Sequence, residues 1–190
     1  MKLSVVTSNL GKLKEFRNAL LPAGIEVMHS EEDCDEIQAD DLEDVVRHCM
    51  NQLKDKGVKD FVIDDSGLFV HALKGFPGVY SAYAFKTIGN PGLLRLLEEI
   101  DDRTAHFECC IGCCIGGSGG LVVKERCEGR IIEKGRGEYG FGFDPIFIPE
   151  GYDQTFAEMP LELKNRISHR GKAIKSFVAE LNKTMKSGRQ

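Results

Sequence analysis

The chain has 190 residues, of which 42% are hydrophobic and 29% are charged, and these globular values exclude a disordered protein. Its net charge of −5 (25 basic against 30 acidic residues) disfavours a nucleic-acid polymer as partner, so an anionic substrate must be small and held locally. No apolar run approaches the roughly 20 residues that span a bilayer, and the N-terminus lacks a small-residue cleavage site. We therefore expect a cytoplasmic protein without a membrane partner.

Strands and helices are predicted to alternate along the chain without internal repeats. Strands are predicted at 3–6, 25–28 and 61–63, and helices at 12–21 and 42–56. A strand at 68–70, a loop at 74–80, a helix at 91–99, two strands within 104–130 and a last helix at 171–185 follow. This pattern predicts an α/β protein with a mixed sheet and no clear domain boundary.

Seven cysteines raise the questions of disulfides and of a metal site. Without a secretory signal, we expect a reducing interior and no disulfide framework. Cys110 and Cys113 have the spacing of a zinc knuckle, but residues three apart in the predicted strand point to opposite faces. We therefore interpret the cluster Cys109–Cys114 as small buried hydrophobic side chains.

The first predicted strand leads into a helix through the polar turn Thr7-Ser8-Asn9-Leu10-Gly11-Lys12. Such a turn presents backbone N–H groups and the positive end of the helix dipole, and Lys12 adds a charge, so it suits a phosphate. The spacing is not that of a P-loop. An ordinary capped helix with a solvated lysine remains the alternative.

Asp64-Asp65-Ser66-Gly67 follows an apolar predicted strand. Ligand sites of open α/β sheets gather at the carboxyl ends of strands, and adjacent carboxylates there suit Mg²⁺. The alternative is a simple turn, because Asp-Ser-Gly is good turn chemistry. Glu36, in the acidic loop 31–41, is a further candidate ligand that composition alone does not single out.

Two later segments could recognise a nucleobase. The glycines of Phe141-Gly142-Phe143-Asp144 could expose ring faces for stacking, unless the rings form an aromatic core. The cationic run 164–172 could bind base edges or phosphates, unless it is only a capped helix start with surface charges. The other histidines show no metal-ligand spacing, and we interpret them as structural: His29, His48, His71 and His106.

Together these segments resemble the inosine triphosphate pyrophosphatase family, the XTP/dITP diphosphatases. The motifs at 7–12 with Glu15, 64–68, 141–147 and 168–170 occur in the family's order, and segments 75–80 and 155–159 also look like family segments. The resemblance covers nearly the whole chain. It implies one domain, 1–190, with an elongated mixed β-sheet and flanking helices that form two lobes around a central cleft, and a homodimer.

The resemblance also implies hydrolysis of ITP, dITP and XTP to the monophosphate and pyrophosphate, which cleans the nucleotide pool. Mg²⁺, with Mn²⁺ as a substitute, would be held by Glu36, Asp65 and Asp64, and Asp65 would be the proton acceptor. Phe143, often Tyr or Trp in the family, would keep a ring for stacking. The substrate-binding positions would be Thr7, Ser8, Asn9, Leu10, Gly11, Lys12, Ser66, Phe141, Gly142, Phe143, Asp144, Lys164, His169 and Arg170.

Three other functions remain open. A Maf-type pyrophosphatase would share fold and chemistry but prefer pyrimidine or modified nucleotides, and the Ser168-His169-Arg170 motif argues against it. A nucleotide-binding protein without catalysis would gain little from two adjacent carboxylates. A cysteine-dependent metal or redox protein would lose activity after thiol alkylation.

Overall fold

The computed structural model describes residues 1–35 and 37–187, which form a mixed α/β structure. The strands are β1 (Lys2–Val6), β2 (Glu26–Ser30), β3 (Phe61–Val70), β4 (Pro77–Gly78), β5 (Thr104–Ile115), β6 (Ser118–Ile131) and β7 (Phe147–Pro149). The helices are α1 (Leu10–Leu20), α2 (Leu42–Asp55), α3 (Ser81–Thr87), α4 (Gly89–Leu96), α5 (Leu161–Ile167) and α6 (His169–Ser187). None of the helices in this described part is long and apolar enough to cross a membrane.

The strands form a mixed sheet, as the sequence predicts. Their order is β2-β1-β3-β5-β6-β7, with β4 beside β3. Strand β1 pairs in parallel with β2 and β3, because α1 and α2 provide the crossovers that parallel neighbours require. Strands β4 and β7 pair antiparallel with β3 and β6.

The chain forms two compact units, each with its own hydrophobic core. Unit 1 comprises Met1–Asp65, Cys109–Lys124 and Gly171–Gln190, and its core includes Leu13, Phe16, Val62, Ile111 and Phe177. Unit 2 comprises Ser66–Glu108 and Glu125–Arg170, and its core includes Leu68, Phe107, Phe147, Phe156 and Met159. The single domain with two lobes around a cleft stays a prediction.

The cysteine-rich strand β5 is packed on both faces within unit 1. Cys109 and Cys113 belong to the core that contains Phe16. A Cβ on Gly112 would lie 2.4 Å from the Met50 sulfur, so α2 packs on the other face and requires glycine there. Cys110 shares that face by alternation, which confirms that Cys110 and Cys113 point apart and are small core side chains.

One cysteine pair departs from the expectation for a reducing interior. Cys34, in the acidic loop, is joined by a disulfide to Cys49 of α2, with their Cα atoms 5.3 Å apart. The other five cysteines are free and buried. Composition and compartment could not reveal this pair, because it depends on how the loop lies against α2.

The structure also corrects the predicted end of the third strand at residue 63. Strand β3 continues through Asp64, Asp65 and Gly67 to Val70, because Leu68 and Phe69 pair with β4. The two aspartates therefore lie inside a strand rather than after its end. The short elements α3, β7 and α5 are absent from the prediction, since Gly and Pro around them conceal any periodicity.

The buried thiols should not react in the native protein. Burial raises the pKa of the Cys113 thiol to about 12 and also raises the pKa of Cys110, which removes the reactive thiolate. Iodoacetamide at about pH 8 should leave the five free cysteines unmodified in the native chain and modify all five after unfolding, as measured by mass spectrometry. Rapid native labelling of Cys110 or Cys113 would contradict the packing of β5.

Candidate active site

In unit 1, the polar turn before α1 is shaped by Asn9. The Asn9 Oδ1 accepts hydrogen bonds from the N–H groups of Gly11 (2.9 Å) and Lys12 (3.2 Å), which makes Asn9 the N-cap of the helix. The Asn9 N–H donates to Thr7 Oγ1 at 3.1 Å. Ser8 and Leu10 are exposed beside it. The predicted phosphate turn is thus a helix start whose first N–H groups are fixed by a side chain.

Lys12 is bound to the first of the two adjacent aspartates. Its Nζ lies 3.1 Å from Asp64 Oδ2 and donates to the Asp64 carbonyl oxygen at 3.1 Å. The Asp64 side chain is only 1% exposed and that of Lys12 is 17% exposed. This cation offsets the repulsion expected between Asp64 and Asp65.

The strand separates the predicted metal ligands. Because side chains alternate along β3, Asp65 faces away from Asp64 and from Cys109, whose sulfur lies 3.9 Å from Asp64 Oδ2. Asp65 is half-buried on the face on which α2 packs. Glu36 lies outside the described residues. A regular strand therefore does not direct both aspartates to one ion, and Asp65 is the better candidate of the two.

In unit 2, a buried ion pair organises the predicted base-binding residues. The Lys164 Nζ lies 2.6 Å from Asp144 Oδ2, with the two side chains 8% and 4% exposed. The same oxygen accepts the N–H of Phe141 at 2.7 Å. A Cβ on Gly140 would lie 2.2 Å from that oxygen, so the glycine is required for the carboxylate to approach the loop.

Two cations lie over the exposed ring of Phe141. The Lys164 Nζ is 4.8 Å from the ring centroid, and the Arg170 guanidinium carbon is 5.7 Å from it. The Phe141 residue remains 48% exposed. An aromatic ring fixed by cations and open to solvent can stack on a nucleobase.

His169 and Arg170, at the start of α6, are both buried. The His169 ring stacks on Phe107, with centroids 4.7 Å apart, and Arg170 Nη2 donates to Ser66 Oγ at 3.2 Å. Nothing in the sequence indicates that Phe107, which lies on β5, would stack on His169. Unit 2 thus brings together the predicted residues Ser66, Phe141, Asp144, Lys164 and Arg170.

The ring of Phe143 is not available for stacking, which corrects one prediction. Phe143 is 3% exposed, belongs to the unit 2 core and meets the edge of Phe85 with centroids 5.4 Å apart. Gly142, which separates Phe141 from Phe143, adopts a left-handed φ of 62°. Phe141 is 48% exposed, whereas Phe143 is 3% exposed. The sequence Phe-Gly-Phe cannot show which ring faces the core.

Comparison with known proteins gives concordant matches over nearly the full length. The model of the Ham1 family matches residues 3–180. Proteins described as dITP/XTP pyrophosphatase from Pyrococcus horikoshii and Thermococcus kodakarensis are 49% and 50% identical over 186 residues, covering 98% of this chain and 100% of each relative. The structure of the Staphylococcus aureus Ham1 protein matches with a TM-score of 0.86 and 31% identity, over 97% of this chain and 100% of that chain.

Removing one partner of the buried pair should destabilise unit 2. The variant Lys164→Met leaves the Asp144 carboxylate buried without its cation, which costs about 3–5 kcal/mol. The free energy of unfolding from urea titration measures this cost. The control Lys86→Met removes an exposed lysine of α3 and should change it by less than about 0.5 kcal/mol. Equal stability of both variants would contradict the importance of the pair.

Proposed function

Because the chain belongs to the Ham1 family, we propose that it hydrolyses deaminated purine nucleoside triphosphates (ITP, dITP and XTP) to the monophosphate and pyrophosphate. The relatives that are nearly half identical to it are described as dITP/XTP pyrophosphatases. Family membership favours this activity over that of a Maf-type enzyme. The observation that carries the proposal is the exposed Phe141 ring beneath the buried cations Lys164 and Arg170.

The triphosphate is assigned to the residues at the start of α1. A triphosphate carries about four negative charges, and a protein with a net charge of −5 must bind it through a local positive region. The N-terminal end of α1 supplies such a region in unit 1, and Lys12, whose charge is paired with Asp64, adds a further N–H donor there. The Asn9 cap holds this helix start in one conformation.

Mg²⁺, with Mn²⁺ as a substitute, is the cofactor that we propose. A half-buried carboxylate such as Asp65 fits this ion, which takes one or two carboxylates together with substrate phosphates. We assign Asp65 and Glu36 to its binding and leave Asp64 to Lys12. When bound, Mg²⁺ neutralises charge on the phosphates.

Asp65 is also assigned as the general base. A water oxygen attacks the phosphorus next to the ribose, its proton passes to the Asp65 carboxylate, and the bond to the pyrophosphate oxygen breaks. Such a reaction depends on positioning and charge neutralisation, so no nucleophilic side chain is required.

The base is assigned to the residues around Phe141. A 6-oxopurine presents an acceptor at position 6 and a donor at N1, whereas adenine presents the reverse. Lys164 and Arg170 are donors, and Asp144 beside Lys164 is an acceptor. The donors would face the 6-oxo oxygen and Asp144 would face the N1–H of such a base. Adenine would instead place its 6-amino group against the donors and its N1 lone pair against the carboxylate.

We further propose a cytoplasmic homodimer. Exposed large hydrophobic residues are concentrated between residues 76 and 96, and they support self-association: Phe76, Tyr80, Tyr83, Phe85, Ile88 and Leu96. Five of the seven cysteines are free, which supports a reducing compartment, whereas the Cys34–Cys49 disulfide does not. The negative net charge supports the absence of a nucleic-acid polymer among its partners.

Asp65→Asn should abolish most of the activity without loss of the fold. The substitution conserves volume but removes the proposed base, so pyrophosphate release from ITP should fall by about 10²–10⁴-fold. The melting temperature should stay near that of the parent. The control Asp44→Asn, an exposed position on α2, should retain full activity. A parental rate for Asp65→Asn would refute its assignment.

Arg170→Met should reduce the preference for ITP over ATP. It keeps much of the side-chain volume but removes the donors, and the loss of a charge-assisted hydrogen bond lowers the ratio of kcat/KM values about 10–100-fold. The control Arg166→Met removes an exposed arginine four residues earlier and should leave the ratio unchanged. An equal loss for ITP and ATP would instead place Arg170 on the triphosphate.

A further inference from the structure

A second group of potential metal ligands lies in unit 2, among residues that the proposed reaction does not use. One ligand atom from each of His71, His106 and Glu128 lies within 4.8 Å of the others. His71 Nε2 and His106 Nδ1 are 3.1 Å apart. The sequence spacing of these histidines indicates no such site, because β3, β5 and β6 bring together residues that are far apart in the chain.

The orientation of the His71 ring is fixed by a hydrogen bond at Nδ1, the ring nitrogen that does not contact His106. The Thr104 hydroxyl donates to the Asp102 carboxylate at 2.6 Å, so its oxygen can only accept from His71 Nδ1 at 2.9 Å. The proton of a neutral His71 ring is therefore on Nδ1, and the lone pair of Nε2 is directed at His106. Metal-binding imidazoles are held in the same way, with the distal N–H bonded to an acceptor.

His106 is held by packing, and the other two groups are open to solvent. The His106 ring is buried and stacks parallel to Phe69, with centroids 5.0 Å apart. The charge of neighbouring Arg126 is balanced by its ion pair with Glu108. His71 and Glu128 are exposed, so an ion can reach the cluster and Glu128 can change rotamer to complete it.

We propose that His71, His106 and Glu128 bind one Zn²⁺ ion or a similar divalent transition-metal ion. Two nitrogen ligands of a tetrahedral zinc ion stand about 3.3 Å apart, given Zn–N distances of about 2.0–2.1 Å. The observed separation of 3.1 Å needs little adjustment. Two imidazoles select a transition metal over Mg²⁺, so this site differs in chemistry from the proposed magnesium site.

Such an ion would connect three segments of unit 2. His71 follows the end of β3, His106 lies on β5 and Glu128 lies on β6. Binding to the folded state raises stability in proportion to the logarithm of ligand concentration over Kd. Zinc should therefore stabilise the chain against heat, and this inference does not depend on the proposed reaction.

Calorimetric titration of the untagged, chelator-treated full chain with Zn²⁺ tests the site, with excess Mg²⁺ present. The parent should bind one Zn²⁺ at this site, and His71→Ala and Glu128→Gln should each weaken that binding at least about tenfold. Both substitutions are at exposed positions, so folding is preserved. The controls His48→Ala and Glu133→Gln, and Asp65→Asn, should bind as the parent does.

Two further measurements separate a coordination site from a hydrogen-bonded histidine pair. Thr104→Val removes the acceptor for His71 Nδ1–H and should weaken zinc binding about 10–100-fold. Zinc should raise the melting temperature of the parent and of the controls but not of His71→Ala. Absence of binding by the parent, or equal binding by all variants, would overturn the proposal.

Discussion

Three cations among the candidate functional residues are each held by an acceptor from their own unit, and the proposed chemistry depends on these contacts. Lys12 is bound to Asp64, Lys164 to Asp144 and Arg170 to Ser66. An acidic chain cannot rely on its overall field to attract a triphosphate, so it needs positive groups at fixed points. Buried cations are stable only when partners offset the loss of hydration.

These contacts also distinguish residues of the same type, such as the adjacent Asp64 and Asp65. Alternation along β3 directs Asp64 toward Lys12 and Asp65 toward the opposite face, so only Asp64 is paired with this lysine, and the proposed catalytic role is assigned to Asp65. In unit 2, Asp144 positions both Lys164 and the loop that carries Phe141. Asp64 therefore holds Lys12, and Asp144 holds both Lys164 and the backbone of Phe141.

Local patterns predicted much of this structure, whereas long-range contacts did not follow from them. The predicted helices at 12–21 and 42–56 correspond to α1 and α2, whose N-caps in the structure are Asn9 and Asp41. The continuation of β3 depends on pairing with β4, and the burial of Phe143 depends on its contact with Phe85. The Cys34–Cys49 bond and the His71–His106 contact likewise join separate segments, which periodicity does not report.

The most direct test of the proposed function is product analysis with a panel of nucleotides. The chain would be supplied with Mg²⁺ and with ITP, dITP, XTP, ATP or CTP, and pyrophosphate and orthophosphate would be quantified separately with kcat/KM. We predict pyrophosphate as the inorganic product, with kcat/KM for the 6-oxopurine substrates at least about tenfold above that for ATP. Release of orthophosphate, or equal kcat/KM values for all five nucleotides, would contradict the proposed function.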